Sequence, residues 1–418
     1  MSRHLHAPPL DDSSIPRQIE TPICKSRQTR LDDHSQMPTH RSVVDALIHS
    51  AQLGDPIVLA TVVRVTGSSY GGVGARMVIH ADGSTVGLVS GGCLESDIAE
   101  HARRVHASAR AEVVSYDTRN DDDAPWGLGL GCNGLIEVLL EPLTAADANS
   151  LASIIGHALG ADSPTVLATV IVSGADTGAP AIGAHALIVG GTPQTTGDWG
   201  DGVVLANAAS ATDEAIAAGR RGLVREYGAV EIAFEVVAPS IRLLICGSGP
   251  DALPIATFAS QLGWEVVVID HRKVDSTRPA RFPGARVVEC TDALKLADTV
   301  ALTGRTAAVV VSHHFSRDLD YVQALLTAGV AYVGVLGPRA RTQRMLAELV
   351  VRGLPPVAAD GSLFAPVGLD IGGDGPEAIA LAIIAEVQAV ANDRAGGHLR
   401  DRRGSLHPSP QLAPLGAN

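Results

Sequence analysis

Hydrophobic spacing changes character along the chain and marks out its elements. From Ser42 to Leu53, the residues Val43, Val44, Leu47 and Ile48 recur with helical spacing. Pro56 to Val65 is almost entirely apolar, which predicts a buried strand. A loop follows at Gly67-Ser68-Ser69-Tyr70-Gly71-Gly72. Met77 to His80 and Ser84 to Val89 flank Ala81-Asp82-Gly83 and read as a hairpin. A helix beginning near Leu94 would carry Ile98, Ala99 and Ala102 inward. Glu112 to Tyr116 and Leu135 to Leu140 are further strands, with the acidic stretch Asp117 to Trp126 between them.

Part of this pattern occurs twice. Pro56-Ile-Val-Leu-Ala-Thr-Val recurs as Pro164-Thr-Val-Leu-Ala-Thr-Val, and Gly74-Ala-Arg-Met-Val-Ile recurs as Gly183-Ala-His-Ala-Leu-Ile. The offsets agree to within one residue, so the first half of the chain reads as a duplication.

Near residue 238 the pattern becomes an alternation of strand and helix. Ile241 to Cys246 is an apolar strand running into Gly247-Ser248-Gly249-Pro250-Asp251-Ala252, followed by a helical stretch to Leu262. The next strand, Val266 to Ile269, ends at Asp270. This is G-x-G-x-x-A in a strand–turn–helix setting with a downstream acid. Gly247 and Gly249 would let a pyrophosphate approach, and Asp270 would accept from a ribose hydroxyl. Later strands, Ala307 to Val311 and Tyr332 to Leu336, end at His313, His314 and Asp318 and at Arg339, Arg341 and Arg344. The helix after the first of these is expected from Leu319 to Ala328. Ligands of open α/β sheets bind at such strand ends. Arginines there suit an anion, and the histidines and Asp318 serve either a site or a loop-holding network.

The expected fold is therefore α/β: an N-terminal α+β cysteine-bearing domain with an internal repeat, then a C-terminal Rossmann-like doubly wound parallel sheet. Boundaries are expected at 39–237 and 238–395, with disordered tails at 1–38 and 396–418. The chain is 46% hydrophobic and only 3% aromatic, so its cores are aliphatic. A formal charge of −13 over 418 residues argues against a nucleic-acid binder. No apolar run suggests a signal peptide or a membrane span, and a cytoplasmic setting is expected.

Two short stretches carry the candidate chemistry. Gly91-Gly92-Cys93-Leu94-Glu95 and Gly129-Leu130-Gly131-Cys132-Asn133-Gly134 each place one cysteine in a glycine-flanked turn. Backbone N–H groups in such turns attract anions and favour thiolate. The bland alternative is two small buried residues filling tight corners. The five cysteines are too dispersed for a zinc ladder.

Four passages in this order resemble the xanthine dehydrogenase accessory protein family, XdhC/CoxI. They are Gly74-Ala-Arg-Met77 through Glu95; Trp126 through Glu141-Pro142; Ser312 through Asp318 with Tyr332 through Arg339; and Ala365 through Gly372 leading to Glu377 through Glu386. Ser69-Tyr70-Gly71 departs from that family's usual loop. The resemblance implies a cytoplasmic maturation factor without turnover of its own. Such a factor would bind molybdenum cofactor, as molybdopterin or its dinucleotide form, assist its sulfuration and deliver it. The implied partner is an apo molybdenum hydroxylase of the xanthine dehydrogenase or carbon monoxide dehydrogenase type. A cysteine desulfurase and a second copy of the chain are further candidate partners. On this reading Cys93 and Cys132 lie near the metal as soft ligands, and Glu95 meets the pterin amino group. Gly91, Gly92, Gly131 and Asn133 shape the turns, and Arg76 or Arg339 takes phosphate. The chain has nothing to hold two iron–sulfur clusters, so it would not itself be the molybdenum enzyme. The competing readings are an NAD(P)-dependent oxidoreductase using the Gly247 turn, Asp270 and His313, and a metal- or redox-sensing module.

Overall fold

The computed structural model describes residues 40–67, 70–117, 134–217, 221–273, 277–354 and 361–401. The expected N-terminal tail and most of the C-terminal one fall outside these residues. So does the second cysteine turn, with Gly131, Cys132 and Asn133. Of the expected C-terminal tail, Leu399–Asp401 forms a single helical turn.

The first half is built twice from one plan. The first copy runs α1 (His40–Leu53), β1 (Ile57–Gly67), β2 (Arg76–His80), β3 (Thr85–Gly87), α2 (Glu95–Ser108), β4 (Glu112–Asp117) and β5 (Gly134–Leu143). The second runs α3 (Ala145–Gly160), β6 (Thr165–Val172), β7 (His185–Val189), β8 (Thr192–Thr196), α4 (Val203–Ser210), α5 (Thr212–Ala217), β9 (Gly222–Tyr227) and β10 (Val230–Val237). Each copy forms a five-stranded sheet, with orders β3-β2-β1-β5-β4 and β8-β7-β6-β10-β9. These are the same order, so the repeat seen in short apolar strands extends to whole sheets.

The unbroken apolar character of β1 follows from this arrangement. Its even-numbered residues Val58, Ala60 and Val62 pack under α2, against Ile98, Ala102 and Val105. Its odd-numbered Ile57 and Leu59 join α1, α3 and Leu167 and Leu187 of the second copy in a shared core. The equivalent strand β6 does the same, with Val166, Ala168 and Val170 facing its own half. Successive side chains of a strand point to opposite faces, so a strand covered on both sides shows no alternation.

The remaining elements are β11 (Arg242–Cys246), α6 (Ala252–Gln261), β12 (Glu265–Asp270), α7 (Thr277–Ala280), β13 (Ala285–Glu289), α8 (Leu296–Thr299), β14 (Thr306–Val310), α9 (Phe315–Thr327), β15 (Tyr332–Val335), α10 (Arg339–Val351), β16 (Leu363–Phe364) and α11 (Pro376–Ala391). The strands form one parallel sheet in the order β13-β12-β11-β14-β15-β16. Counted from β11, this is the 3-2-1-4-5-6 order of a dinucleotide-binding fold, whose switch point lies between β11 and β14. One boundary differs from expectation: α9 begins at Phe315, four residues before Leu319. Asp318 causes this. It lies in the first helical turn, where a carboxylate favours the helix dipole, and it accepts from the Ser312 N–H at 3.2 Å and from the Ser312 hydroxyl.

Candidate functional site: an exposed thiol and a nucleotide-type crevice

The Cys93 turn is held by Glu95. The Glu95 carboxylate accepts from the Ser90 N–H at 2.8 Å, the Ser90 hydroxyl at 2.6 Å and the Leu94 N–H at 3.1 Å. The Leu94 N–H also donates to Ser90 Oγ at 3.1 Å. Both carboxylate oxygens are thus engaged in shaping the turn. Leu94 is buried and anchors the turn, while Cys93 is exposed. The Ser90 hydroxyl lies 3.9 Å from its sulfur. The N–H groups of Gly91, Gly92 and Cys93 make no hydrogen bond among the described residues. Gly92 has φ +101 and open space where a Cβ would stand, so the turn needs glycine for its backbone and leaves room for a ligand.

Two residues that brace this turn carry no signature of their own. Tyr70 lies 3.4 Å from where a Gly91 Cβ would be, and it is 71% exposed. Gly71 packs so closely on Val89 that a Cβ would fall 2.1 Å from the Val89 carbonyl oxygen. The loop before β2 therefore supports the strand end that leads into Ser90.

Arg76 sits elsewhere. It is buried in a two-pronged ion pair with Glu235 of the second copy, Nη1 donating to Oε1 at 3.1 Å and Nη2 to Oε2. Nη1 also donates to the Gly74 carbonyl at 3.0 Å. A guanidinium with this set of partners is committed to joining the two halves, and the phosphate role expected of it is not compatible with that engagement.

The crevice between β11 and β14 gathers Gly247, Gly249, Asp270 and His313. Gly247 has φ +134, and a Cβ there would lie 2.8 Å from the Ser312 nitrogen, so the turn is closed against the end of β14. The N–H groups of Ser248 and Gly249 are unengaged among the described residues. Opposite them, Asp251 at the start of α6 pairs with His313, Nε2 to Oδ2 at 2.7 Å. His313 has φ +59, an uncommon conformation for a non-glycine residue, and lies beside Gly249. A negative charge at this helix N-terminus opposes a pyrophosphate there.

Asp270 is buried and its carboxylate is filled. It accepts from Arg272 N–H at 2.9 Å, Arg272 Nε at 3.1 Å, the Ser248 hydroxyl and Arg278. Burial alone would raise its pKa, but hydrogen bonds from Arg272 and Ser248 and the Arg272 charge prevail and hold it below the usual carboxylate range. The ribose hydroxyl expected to bind Asp270 finds no free oxygen. Neither Arg272 nor Arg278 stands out in the sequence. The run Asp270-His271-Arg272 held the signal for the first, since a strand-end acid followed by a basic residue can form a local clamp.

Asp318 likewise holds structure. Besides Ser312 it accepts from Arg341 Nη2 at 2.6 Å. Arg344 stacks over Phe315, its Cζ 4.3 Å from the ring centroid. Arg339 is exposed in the first turn of α10. Among the described residues, no group of three or more His, Cys, Asp and Glu side chains is arranged to hold a metal ion.

Comparisons with known proteins meet this geometry at both ends of the chain. A model of the XdhC and CoxI family matches residues 50–117, which contain the Cys93 turn, and a model of the XdhC Rossmann domain matches 243–387. The chain is 29% identical over 351 residues to a probable xanthine dehydrogenase subunit of Bacillus subtilis, spanning 84% of this chain and 97% of that protein. It is 25% identical to the molybdenum cofactor insertion chaperone PaoD of Escherichia coli, over 84% of this chain and 88% of PaoD. A crystal structure described as a xanthine dehydrogenase from Bacillus halodurans matches at 31% identity and a TM-score of 0.65, covering 88% of this chain and 98% of that one. With the thiol turn in one matched region, the 3-2-1-4-5-6 sheet in the other and a 31% identical structure spanned almost whole, the chain belongs to the XdhC and CoxI family.

Proposed function

We propose that this protein is a maturation factor that binds molybdenum cofactor, assists its sulfuration and delivers it to an apo hydroxylase of the xanthine dehydrogenase type. The cofactor is cargo here. The observation that carries the reading is the exposed Cys93 thiol, flanked by three N–H groups unengaged among the described residues, in a turn braced by Glu95. A soft sulfur donor suits a molybdenum–dithiolene centre, and the N–H groups suit its oxygens or phosphate. The likeness to a cofactor insertion chaperone along most of both chains points the same way.

The oxidoreductase reading draws on the strand order and the Gly247 turn. Against it stand the filled carboxylate of Asp270 and the Asp251 charge where a pyrophosphate would dock.

The test is purification from cells that make the cofactor, with pterin fluorescence and molybdenum analysis, beside Cys93→Ala and Cys132→Ala variants. Pterin and molybdenum in the wild-type protein, lost from Cys93→Ala with the fold retained, are the expected result. A protein free of pterin that binds a nicotinamide dinucleotide and transfers hydride would overturn the reading.

A further inference from the structure

The duplication places two buried pairs of a base and a carboxylate between the halves, related by the repeat. Arg76 and His185 occupy equivalent positions in Gly74-Ala-Arg and Gly183-Ala-His, paired with Thr61 and Thr169 of the neighbouring strands. Each reaches across to a glutamate of the other half: Arg76 to Glu235, His185 to Glu141. Gly74 and Gly183 are glycine for the same reason, since a Cβ at either would lie 2.1 Å or 2.7 Å from the facing glutamate oxygen.

The two pairs are not equally complete. Arginine satisfies both oxygens of Glu235. Histidine is shorter and presents one nitrogen, so Nε2 meets Glu141 Oε1 at 2.8 Å while Nδ1 is held by Thr169 Oγ1 at 3.0 Å. Glu141 Oε2 is buried with no partner among the described residues. An unsatisfied buried carboxylate oxygen costs free energy, the more so when charged. Glu141 and His185 also line a cavity of about 210 Å³, together with Asp147, Gly183 and Thr196. Among the described residues, two acids and no lysine or arginine line it. The equivalent cavity beside Arg76 is instead lined by His40, Arg41 and Arg76.

We propose that the Glu141–His185 cavity is a binding site for a small ligand bearing a guanidine-type edge, one N–H of which donates to the unpartnered Oε2 of Glu141 while His185 keeps Oε1. Free guanidinium compounds and the 2-amino-4-oxopyrimidine ring of guanine or a pterin share this edge. The volume admits such a group rather than a large molecule. The site is separate from the Cys93 turn. Cys93 precedes α2 and the cavity residue Ala109 follows it, so the fourteen residues of that helix put about 21 Å between them. The inference does not depend on the proposed cofactor function.

The test uses the full chain and three probes: aminoguanidine for the shared chemistry, and guanosine and pterin to distinguish its sources, with binding read by ligand-observed NMR and by pterin fluorescence. Wild-type protein binds aminoguanidine and at least one of the two ring compounds. Glu141→Gln weakens binding about tenfold or more, since one acceptor becomes a donor. His185→Arg rebuilds the complete pair of the first half, so it folds with at least wild-type stability and abolishes binding. Failure of all three probes to bind, with the cavity holding only water, overturns the proposal, as does unchanged binding in His185→Arg. Retention of molybdenum cofactor by His185→Arg leaves the cofactor reading intact, so failure of one can be told from failure of the other.

Discussion

At the scale of single residues, the acid at the end of β12 has a different task from the one its motif suggests. Asp270 follows the glycine turn at the spacing of a ribose-binding acid, yet its oxygens meet Ser248, Arg272 and Arg278. Its pKa lies below the ordinary carboxylate value, near 3.9 in an unfolded chain. A carboxylate depressed on folding contributes stability that is complete above the unfolded pKa and lost as pH falls through the folded one. Asp270→Asn is therefore expected to destabilise the protein at pH 7 by about 3 kcal/mol, as when one partner of a buried pair is removed. The gap between the two proteins should narrow as pH falls below about 4. Urea titrations at several pH values measure this, and a gap constant down to about pH 2.5 would contradict it. The site was only partly legible at this scale. Cys93 and its glycines stand out in the sequence because composition marks them. The engagement of Glu95 with Ser90, and of Asp270 with Arg272 and Arg278, depends on backbone N–H directions and on residues that no motif flags.

Among elements, the repeat shows what strand patterns reveal and what they hide. Two short apolar stretches and two Gly-Ala pairs were enough to reveal the duplication, because burial on both faces constrains β1 and β6 alike. The same stretches could not reveal that Arg76 and His185 cross between the halves, since their glutamates lie 159 and 44 residues away in sequence. The start of α9 falls four residues before the expected one because Asp318 reads as a loop acid and is in fact a first-turn acid. The Arg76–Glu235 pair yields a prediction at this scale. Burial would raise the pKa of Glu235, but the charge and hydrogen bonds of Arg76 lower it, so the carboxylate is ionised in the interior. Arg76→Met leaves that charge uncompensated and should cost about 3–5 kcal/mol, whereas Arg76→Met with Glu235→Met should recover most of the loss. Chemical denaturation of the two single variants and the double variant gives the coupling. Purely additive losses would show that the pair does not join the halves energetically.

In the whole molecule, the division of the hydrophobic cores decides what unfolds together. Two clusters draw only on residues from Ile241 onward, and the other four only on residues up to Val237. Two of those four mix both copies of the repeat, so the copies share their interior. Across the joint the links are polar. Ser240 N–H donates to the Leu159 carbonyl at 2.9 Å, and Arg305 reaches the Ser240 carbonyl at 3.0 Å and Asp162 at 3.8 Å. Net hydrogen bonds of this kind contribute about 1 kcal/mol each, far less than a shared apolar core. The two copies should therefore unfold as one unit and the parallel sheet as another. Trp199 reports on the second copy and Trp264 on the parallel sheet, both nearly buried in their clusters. Leu167 lies in the core common to both copies at 1% exposure. In a Trp126→Phe background, with either Trp199 or Trp264 as the single reporter, Leu167→Ala should lower the Trp199 transition by about 2–5 kcal/mol. The Trp264 transition should stay where it is. Equal movement of both would mean that the polar joint couples the units tightly enough to melt as one, and the turn at Cys93 could then not loosen without the crevice at β11 and β14.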